Sequence, residues 1–265
     1  MGYQFLHLEG YARRGSRQQA TRPTGGKPGR AEVRKWSARE IAAEAMRDPD
    51  SCPHVEQPQP TKVLYGCTPM EAAVLAEQWA DGSVDSKGRK LRADGLALAA
   101  GVVSIPSDQR EDWPQFRAAS VQWLQEQYGA RLRSVVEHTD ESHLHFHFYA
   151  VPLSGERFEV LHPGRAAAVE KARQGAKKGA QNTEYKRAMQ SWQDDFHNAV
   201  AAHFGLTRLG PGRRRLTRGA WKAEQAQAKA LARVQTPPEL VITPDDVTKR
   251  VTKSGILGDV SENGK

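Results

Sequence analysis

The sequence reads as an α+β protein, and three observations lead there. Residues 143–148, HLHFHF, alternate strictly. On a strand this puts His143, His145 and His147 on one face and Leu144, Phe146 and Phe148 on the other. The short polar linker 139–142 allows a tight turn, which folds the preceding apolar strand, Leu132–His138, back antiparallel. Helical spacing then lines up Phe116, Val121, Leu124 and Tyr128 within 112–128, and Trp192, Phe196, Val200 and Phe204 within 184–204.

The remaining elements follow in chain order. Residues 3–8 read as a short strand. Residues 10–31 hold six basic residues, no acid and several Gly and Pro, the composition of a flexible basic loop. Ser37 with Glu40 three residues later is a capping box for a helix that stops before Pro49. Residues 49–61 carry four prolines and read as an extended loop. Thr68 caps a second helix over 69–80, with Pro69 in its first position. KVLYG (62–66) is a strand-like run, and Leu96–Ile105 is a continuous apolar run expected to be a buried strand. Residues 165–180 are weakly helical and basic. Gly205 ends the long helix, a basic stretch spans 205–222, and a final helix is expected over about 217–234. From Pro237 onward no core pattern is visible, so 235–265 is expected to be a disordered tail behind a domain of residues 1–234.

Composition narrows the function. Lys and Arg total 39 against 31 Asp and Glu, a net charge of +8 that favours a polyanionic partner. No apolar run is long enough to span a bilayer, so no membrane insertion is expected. Met1–Leu8 lacks the basic and apolar regions of a secretion signal. Two cysteines, Cys52 and Cys67, exclude a disulfide framework and a four-cysteine zinc site. Together these point to a reducing, cytoplasmic setting.

The densest chemical signal is His138-Thr-Asp140-Glu141-Ser-His143-Leu-His145-Phe-His147, four of nine histidines in ten residues. His145 and His147 project from the same strand face, and the turn can bring His138 beside them. Three neutral imidazoles at one point make a divalent-metal site with open positions. Asp140 and Glu141 are placed to hold a ring tautomer or to add a ligand. The bland alternative is a strand with solvent-facing histidines. The apolar residues at 144, 146 and 148 demand a strand, so this is not a helical His-Glu-x-x-His zinc motif.

His-Phe-His on a strand resembles the His-hydrophobe-His signature of HUH endonucleases. The wider pattern resembles the MOBV (Mob/Pre) plasmid mobilisation relaxases, whose motif His-x-Asp-Glu-x-x-Pro-His-x-His-x-x-x-x-Pro is matched by His138, Asp140, Glu141, His145, His147 and Pro152. Leu144 stands where that family has proline. The flanks, WLQEQYGARLRSVVEH before the motif and WQDDFHNAVAAHFGLTRLGPGRRRLTR after it, are similar to the family's helix–turn–strand and to its long helix with a Gly-Leu-x-Arg stretch. The likeness covers roughly residues 1–230. It implies a central antiparallel sheet flanked by helices, with Mn²⁺ or Mg²⁺ bound by His138, His145 and His147. It implies nicking of one strand at a transfer origin, a covalent 5′-phosphoprotein intermediate and later religation. The implied partners are single-stranded and hairpin DNA at that origin, with accessory relaxosome and coupling proteins.

That family attacks with a tyrosine or a histidine from the N-terminal region. The candidates here are His54 in the proline-rich loop, Tyr11 after the first strand, and His7 within that strand, which is expected to run next to the histidine strand; Glu141 is the candidate carboxylate. Cys52, His54 and Cys67 could alternatively form a zinc clip. Arg13, Arg14, Arg17, Lys27 and Arg30 form one acid-free basic run, and Arg208, Arg213, Arg214, Arg215 and Arg218 form another. Without local acids to neutralise them, both are expected to contact DNA phosphates. Trp36 and Trp221 could stack on bases, whereas Trp192 is expected in the core. Competing readings are a replication-initiator or transposase-type HUH nuclease, a phosphodiesterase using activated water, and a DNA-binding protein with a non-catalytic metal site.

Overall fold

A computed structural model describes residues 2–17, 34–84, 87–210 and 217–234. Among the described residues the strands are β1 (Phe5–Ala12), β2 (Ser16–Arg17), β3 (Arg34–Lys35), β4 (Lys62–Gly66), β5 (Leu96–Ser104), β6 (Leu132–His138) and β7 (His145–Ala150). The helices are α1 (Ala38–Ala45), α2 (Pro69–Gly82), α3 (Trp113–Tyr128), α4 (Pro163–Arg173), α5 (Lys178–Ala199) and α6 (Arg218–Val234). Five strands form one antiparallel sheet in the order β1-β5-β7-β6-β4, and β2 pairs with β3. The expected α+β class, a central antiparallel sheet flanked by helices, is what the chain adopts.

The Ser37 capping box forms, and the Thr68 cap is a second one, completed by Glu71. Ser37 Oγ accepts from the Glu40 amide while Glu40 accepts from the Ser37 amide, and Thr68 and Glu71 repeat the exchange. Each box satisfies amides that a helix start would otherwise leave open.

Cross-strand partners share a face of the sheet. The register aligns His7, Val102, His147 and Val136 in one row and Phe5, Ser104, His145 and His138 in the next. This face is covered towards Leu98 and Tyr149 by the alanines of α1 and α2, among them Ala38, Ala42, Ala45, Ala72 and Ala76. The opposite face carries Leu6, Leu8, Phe146, Phe148 and Val135 against Trp113, Phe116 and Leu124 of α3 and Trp192 and Phe196 of α5. Trp192 is therefore core, as expected. Gly101 on β5 has no room for a side chain, since a Cβ there would lie 2.3 Å from the His7 carbonyl oxygen and from the Phe148 ring.

Several boundaries move. β1 continues to Ala12 because Gly10 and Tyr11 keep their pairing with β5, so its last three residues are strand rather than loop. The weakly helical segment splits at Gly175, whose φ is 78°, into α4 and an α5 that starts at Lys178. A 3₁₀ turn, Ala201–Phe204, precedes Gly205, whose φ of 67° ends the run as expected. The segments 18–33, 211–216 and 235–265, including the expected tail, lie outside the described residues.

Candidate metal centre

His138 closes β6 and His145 opens β7, and the two are direct cross-strand partners. With His147 they offer ring nitrogens that all lie within 4.8 Å of one another. The hydrogen bonds assign the tautomers. His138 Nε2 donates to the Ala45 carbonyl at 2.8 Å, which leaves Nδ1 bare. His145 Nδ1 donates to the His143 carbonyl at 2.9 Å, which leaves Nε2 bare. These two bare nitrogens face each other at 3.2 Å. Facing lone pairs repel unless a cation lies between them. Two nitrogens each about 2.1 Å from one ion would sit about 3.0–3.4 Å apart, so the observed spacing suits a shared divalent metal. His147 contributes the third ring, its centroid 4.8 Å from that of His138 and 5.1 Å from that of His145.

Electrostatics favour the ligand form. Burial lowers His138 to about 4, outweighing the Ala45 carbonyl that works the other way. Burial, and then the neighbouring histidines and Arg47, hold His147 well below its ordinary value. Both rings are thus neutral at pH 7, as metal binding requires.

His138 and His145 are steadied by backbone carbonyls, which corrects the expectation that Asp140 and Glu141 hold a ring tautomer. Asp140 instead takes two hydrogen bonds from the Arg47 guanidinium, at 2.7 and 3.0 Å, and one from the Gln59 amide. Burial alone would raise the Asp140 carboxyl, but these donors bring it down to about 2. Arg47 also donates to Glu141 at 2.7 Å and to Glu44 at 3.1 Å. One buried cation among three carboxylates therefore ties the end of α1 to the loop between the histidine strands. Arg47 holds φ at 60°, in the left-handed region, and such strain gathers where surrounding structure over-determines a site. Sequence reasoning missed Arg47 and Glu44. Neither belongs to a local motif, and their roles arise from partners as much as 94 residues away.

An open cavity of about 430 Å³ lies over the cluster, lined by His145, His147, His143, Val102, Ser104, Phe5, Glu44, His54 and Glu141. Of the attacking candidates, only His54 lines it. Cys52 and Val55 turn inward on either side of His54, whose half-exposed ring projects at the cavity edge. Its Nε2 lies 3.5 Å from Glu44 Oε1 and 3.8 Å from Glu141 Oε1. Glu141 Oε1 is also 3.7 Å from His145 Nε2, so this carboxylate stands between the two rings.

His7 shares the histidine face but sits on edge strand β1, with β5 between it and β7, and its ring meets Glu9 at 3.7 Å. The expectation that its strand adjoins the histidine strand is thereby corrected, because a longer pairing partner, β5, inserts between them. Tyr11 packs against the alanine-rich core of α1 and α2, and burial raises its hydroxyl pKa. The zinc clip is not assembled. Cys52 Sγ points to the Asp48 carbonyl and Cys67 Sγ to that of Arg133, and among the described residues the three histidines form the one candidate metal cluster.

Two residues of the basic runs have partners distant in sequence. Arg13 pairs with Asp81 and donates to the Leu91 carbonyl, and Arg208 pairs with Asp194. Acids distant in sequence thus neutralise two residues that lack local partners. Arg14 and Arg218 remain exposed. Arg17 lies in β2, and Lys27, Arg30, Arg213, Arg214 and Arg215 lie outside the described residues. Trp36 is partly exposed, and Trp221 packs edge-on against Tyr3.

No protein-family model matches the chain, and no curated protein matches it. Two solved structures are similar to it. One is the MobM relaxase domain (MOBV; Mob_Pre) bound to 23 nucleotides of plasmid pMV158 oriT DNA, a manganese-bound crystal structure at pH 6.5. It is 14% identical, with 85% of this chain and 99% of that chain covered and a TM-score of 0.46. The other is the same domain with 22 nucleotides at pH 4.6, 14% identical, covering 66% of this chain and 89% of that one with a TM-score of 0.37. Among the described residues no helix is long and apolar enough to cross a membrane.

Proposed function

We propose that residues 1–234 form a relaxase-type nuclease that nicks one DNA strand at a transfer origin, with His54 as nucleophile. The observation that carries this reading is the pair of bare nitrogens on His138 and His145, facing each other at an open cavity that His54 also lines. The motif resemblance supplies the substrate class.

His138, His145 and His147 would hold the divalent ion, Mn²⁺ or Mg²⁺. When bound, it would grip oxygens of the scissile phosphate and offset charge in the transition state. No Lys or Arg lines the cavity among the described residues, so the histidine cluster is the local source of phosphate affinity. Glu44 and Glu141 face His54 Nε2. An N–H there turns towards the carboxylates and leaves Nδ1 with its lone pair free. In the attack, Nδ1 bonds to phosphorus and the P–O3′ bond breaks. The departing 3′ oxygen takes up one proton, and Nε2 gives up one towards the carboxylate pair. The phosphoryl–histidine bond keeps the energy of the phosphodiester, so religation by the 3′ hydroxyl needs no nucleotide cofactor. Arg47 is a positioning residue, because it holds Glu44, Asp140 and Glu141 without lining the cavity.

The test is incubation of labelled single-stranded DNA containing a candidate transfer origin with the full chain and Mn²⁺, followed by a denaturing gel and peptide mapping. The expected result is a covalent adduct on the peptide containing His54, labile in acid as a phosphoramidate is, and absent in His54→Ala. An acid-stable adduct on Tyr11 would overturn the assignment of the nucleophile. A nick without an adduct would indicate attack by water, and DNA binding without cleavage under any divalent metal would indicate a non-catalytic site.

A further inference from the structure

We infer that the α4–α5 hairpin is a cationic arm that grips the backbone of a nucleic-acid duplex. This rests on the nicking reading for its biological setting, but its evidence is separate. The basic character of 165–180 is plain in the sequence, yet neither basic run assigned to DNA includes it. Residues 163–191 hold seven Lys and Arg and two Glu, a net charge of +5 in 29 residues against +8 for the whole chain.

Packing shows why this charge is presented outward. The one buried residue of α4 is Gly164, and those of α5 are Trp192 and Phe196, both in its C-terminal third. The rest of α4 and the first turns of α5 lie against each other, with Met189 partly buried against the core. Gly164 makes the approach possible, since a Cβ there would lie 2.8 Å from Tyr185 and Met189. Arg173 meets Glu170 at 3.4 Å, whereas Lys171, Lys177, Lys178, Lys186 and Arg187 meet no carboxylate among the described residues. The last four of these are exposed. At about 1.5 Å per residue, the stretch of α5 before Trp192 is roughly 20 Å long, a little over half a turn of a B-form duplex.

Chemistry selects the partner. Between residues 163 and 191 there is no Leu, Ile, Phe or Trp, so the arm lacks the apolar face that an anionic membrane surface requires. Its one aromatic ring, Tyr185, is packed against His162 and Gly164. The arm therefore has nothing to stack on unpaired bases, which favours the phosphates of a duplex over a single strand. Its root lies on the sheet face opposite the histidines, where Trp192 and Phe196 of α5 join the core with Phe146 and Phe148.

The test is fluorescence anisotropy of a labelled duplex of arbitrary sequence with the full chain, without metal, across 50–300 mM salt. The Lys177→Gln/Lys178→Gln/Lys186→Gln/Arg187→Gln variant is expected to lower the slope of log K against log salt by about 3 to 4. Duplex affinity should fall by about two to three orders of magnitude near 150 mM salt. A shift in melting temperature with Mn²⁺ equal to wild type would show that the variant is folded, and the Lys177→Arg/Lys178→Arg/Lys186→Arg variant should keep the wild-type slope. An unchanged slope in the Gln variant would overturn the inference, as would loss of binding to phosphatidylserine vesicles with duplex binding intact. If wild type binds duplex through the arm but nicks nothing, the nicking reading fails and the arm stands.

Discussion

The two faces of the sheet are built from the same strand in opposite ways. Leu144, Phe146 and Phe148 meet large aromatic side chains of α3 and α5 and are buried. His145 and His147, one residue out of step, meet a face covered by helices whose inner residues are alanines. Alanines bring α1 and α2 close to the sheet but cover only part of it. Towards Phe5, Ser104 and His145 the face is left open as a cavity. The difference teaches that one face is built to hold the fold and the other to hold a ligand.

The sharpest way to break this comparison is to truncate neighbours of opposite outlook. Phe148→Ala leaves a void in a packed aromatic core and should cost about 3–5 kcal/mol. His147→Ala in metal-free buffer should cost about 1 kcal/mol or less, because it removes a desolvated ring with no core role. Urea denaturation of both variants measures the contrast, and equal losses would mean that the two faces are energetically alike. The same pair separates in ligand response. With Mn²⁺ at a hundred times its dissociation constant, wild type should gain about 2.7 kcal/mol of stability, and His147→Ala should lose most of that gain.

Acid should weaken the metal-free protein through its buried histidines. His138 and His162 are each held near 4 by burial, against about 6.5 when unfolded. Between those values the unfolded chain binds more protons, so stability rises with pH. The contribution is complete above about pH 6.5 and is lost as pH falls towards 4, at roughly 3 kcal/mol for each ring at most. Denaturation midpoints measured from pH 7 to 4 should show this slope. His138→Gln should remove about half of it; an unaltered slope would place the acid sensitivity elsewhere.

The smallest effect concerns how the helix above the site begins. Ser37→Ala deletes the α1 capping box and should cost about 1 kcal/mol. Because the Ala45 carbonyl at the other end of α1 accepts from His138, the loss should be felt as lower stability with Mn²⁺ affinity little changed. A large drop in affinity would show that the whole helix, rather than its last turn, positions the ring.

Local features were legible to the extent that local physics decides them. The Ser37 capping box, the Thr68 cap and the apolar run of β5 each appear where the sequence places them, and β7 keeps the expected alternation but begins at His145 rather than His143, because capping and strand periodicity involve residues a few positions apart. The boundary of α5 was less legible. Its first turns are polar and project outward, so no apolar stripe marks them. The three histidines were legible for the same local reason, as a two-residue spacing and a short turn bring them together.

The α+β class, the histidine face and the residues able to ligate a metal all follow from local sequence pattern. Tertiary structure alone decided the surroundings of that face. It inserted β5 between His7 and the histidine strand, carried His54 to the cavity edge between Glu44 and Glu141, and spent Arg13 and Arg208 on distant acids. It also placed Arg47 among three carboxylates. Side-chain periodicity is set by backbone geometry over a few residues, whereas pairing of charges and access to a cavity depend on which distant segments the core brings within a few ångströms.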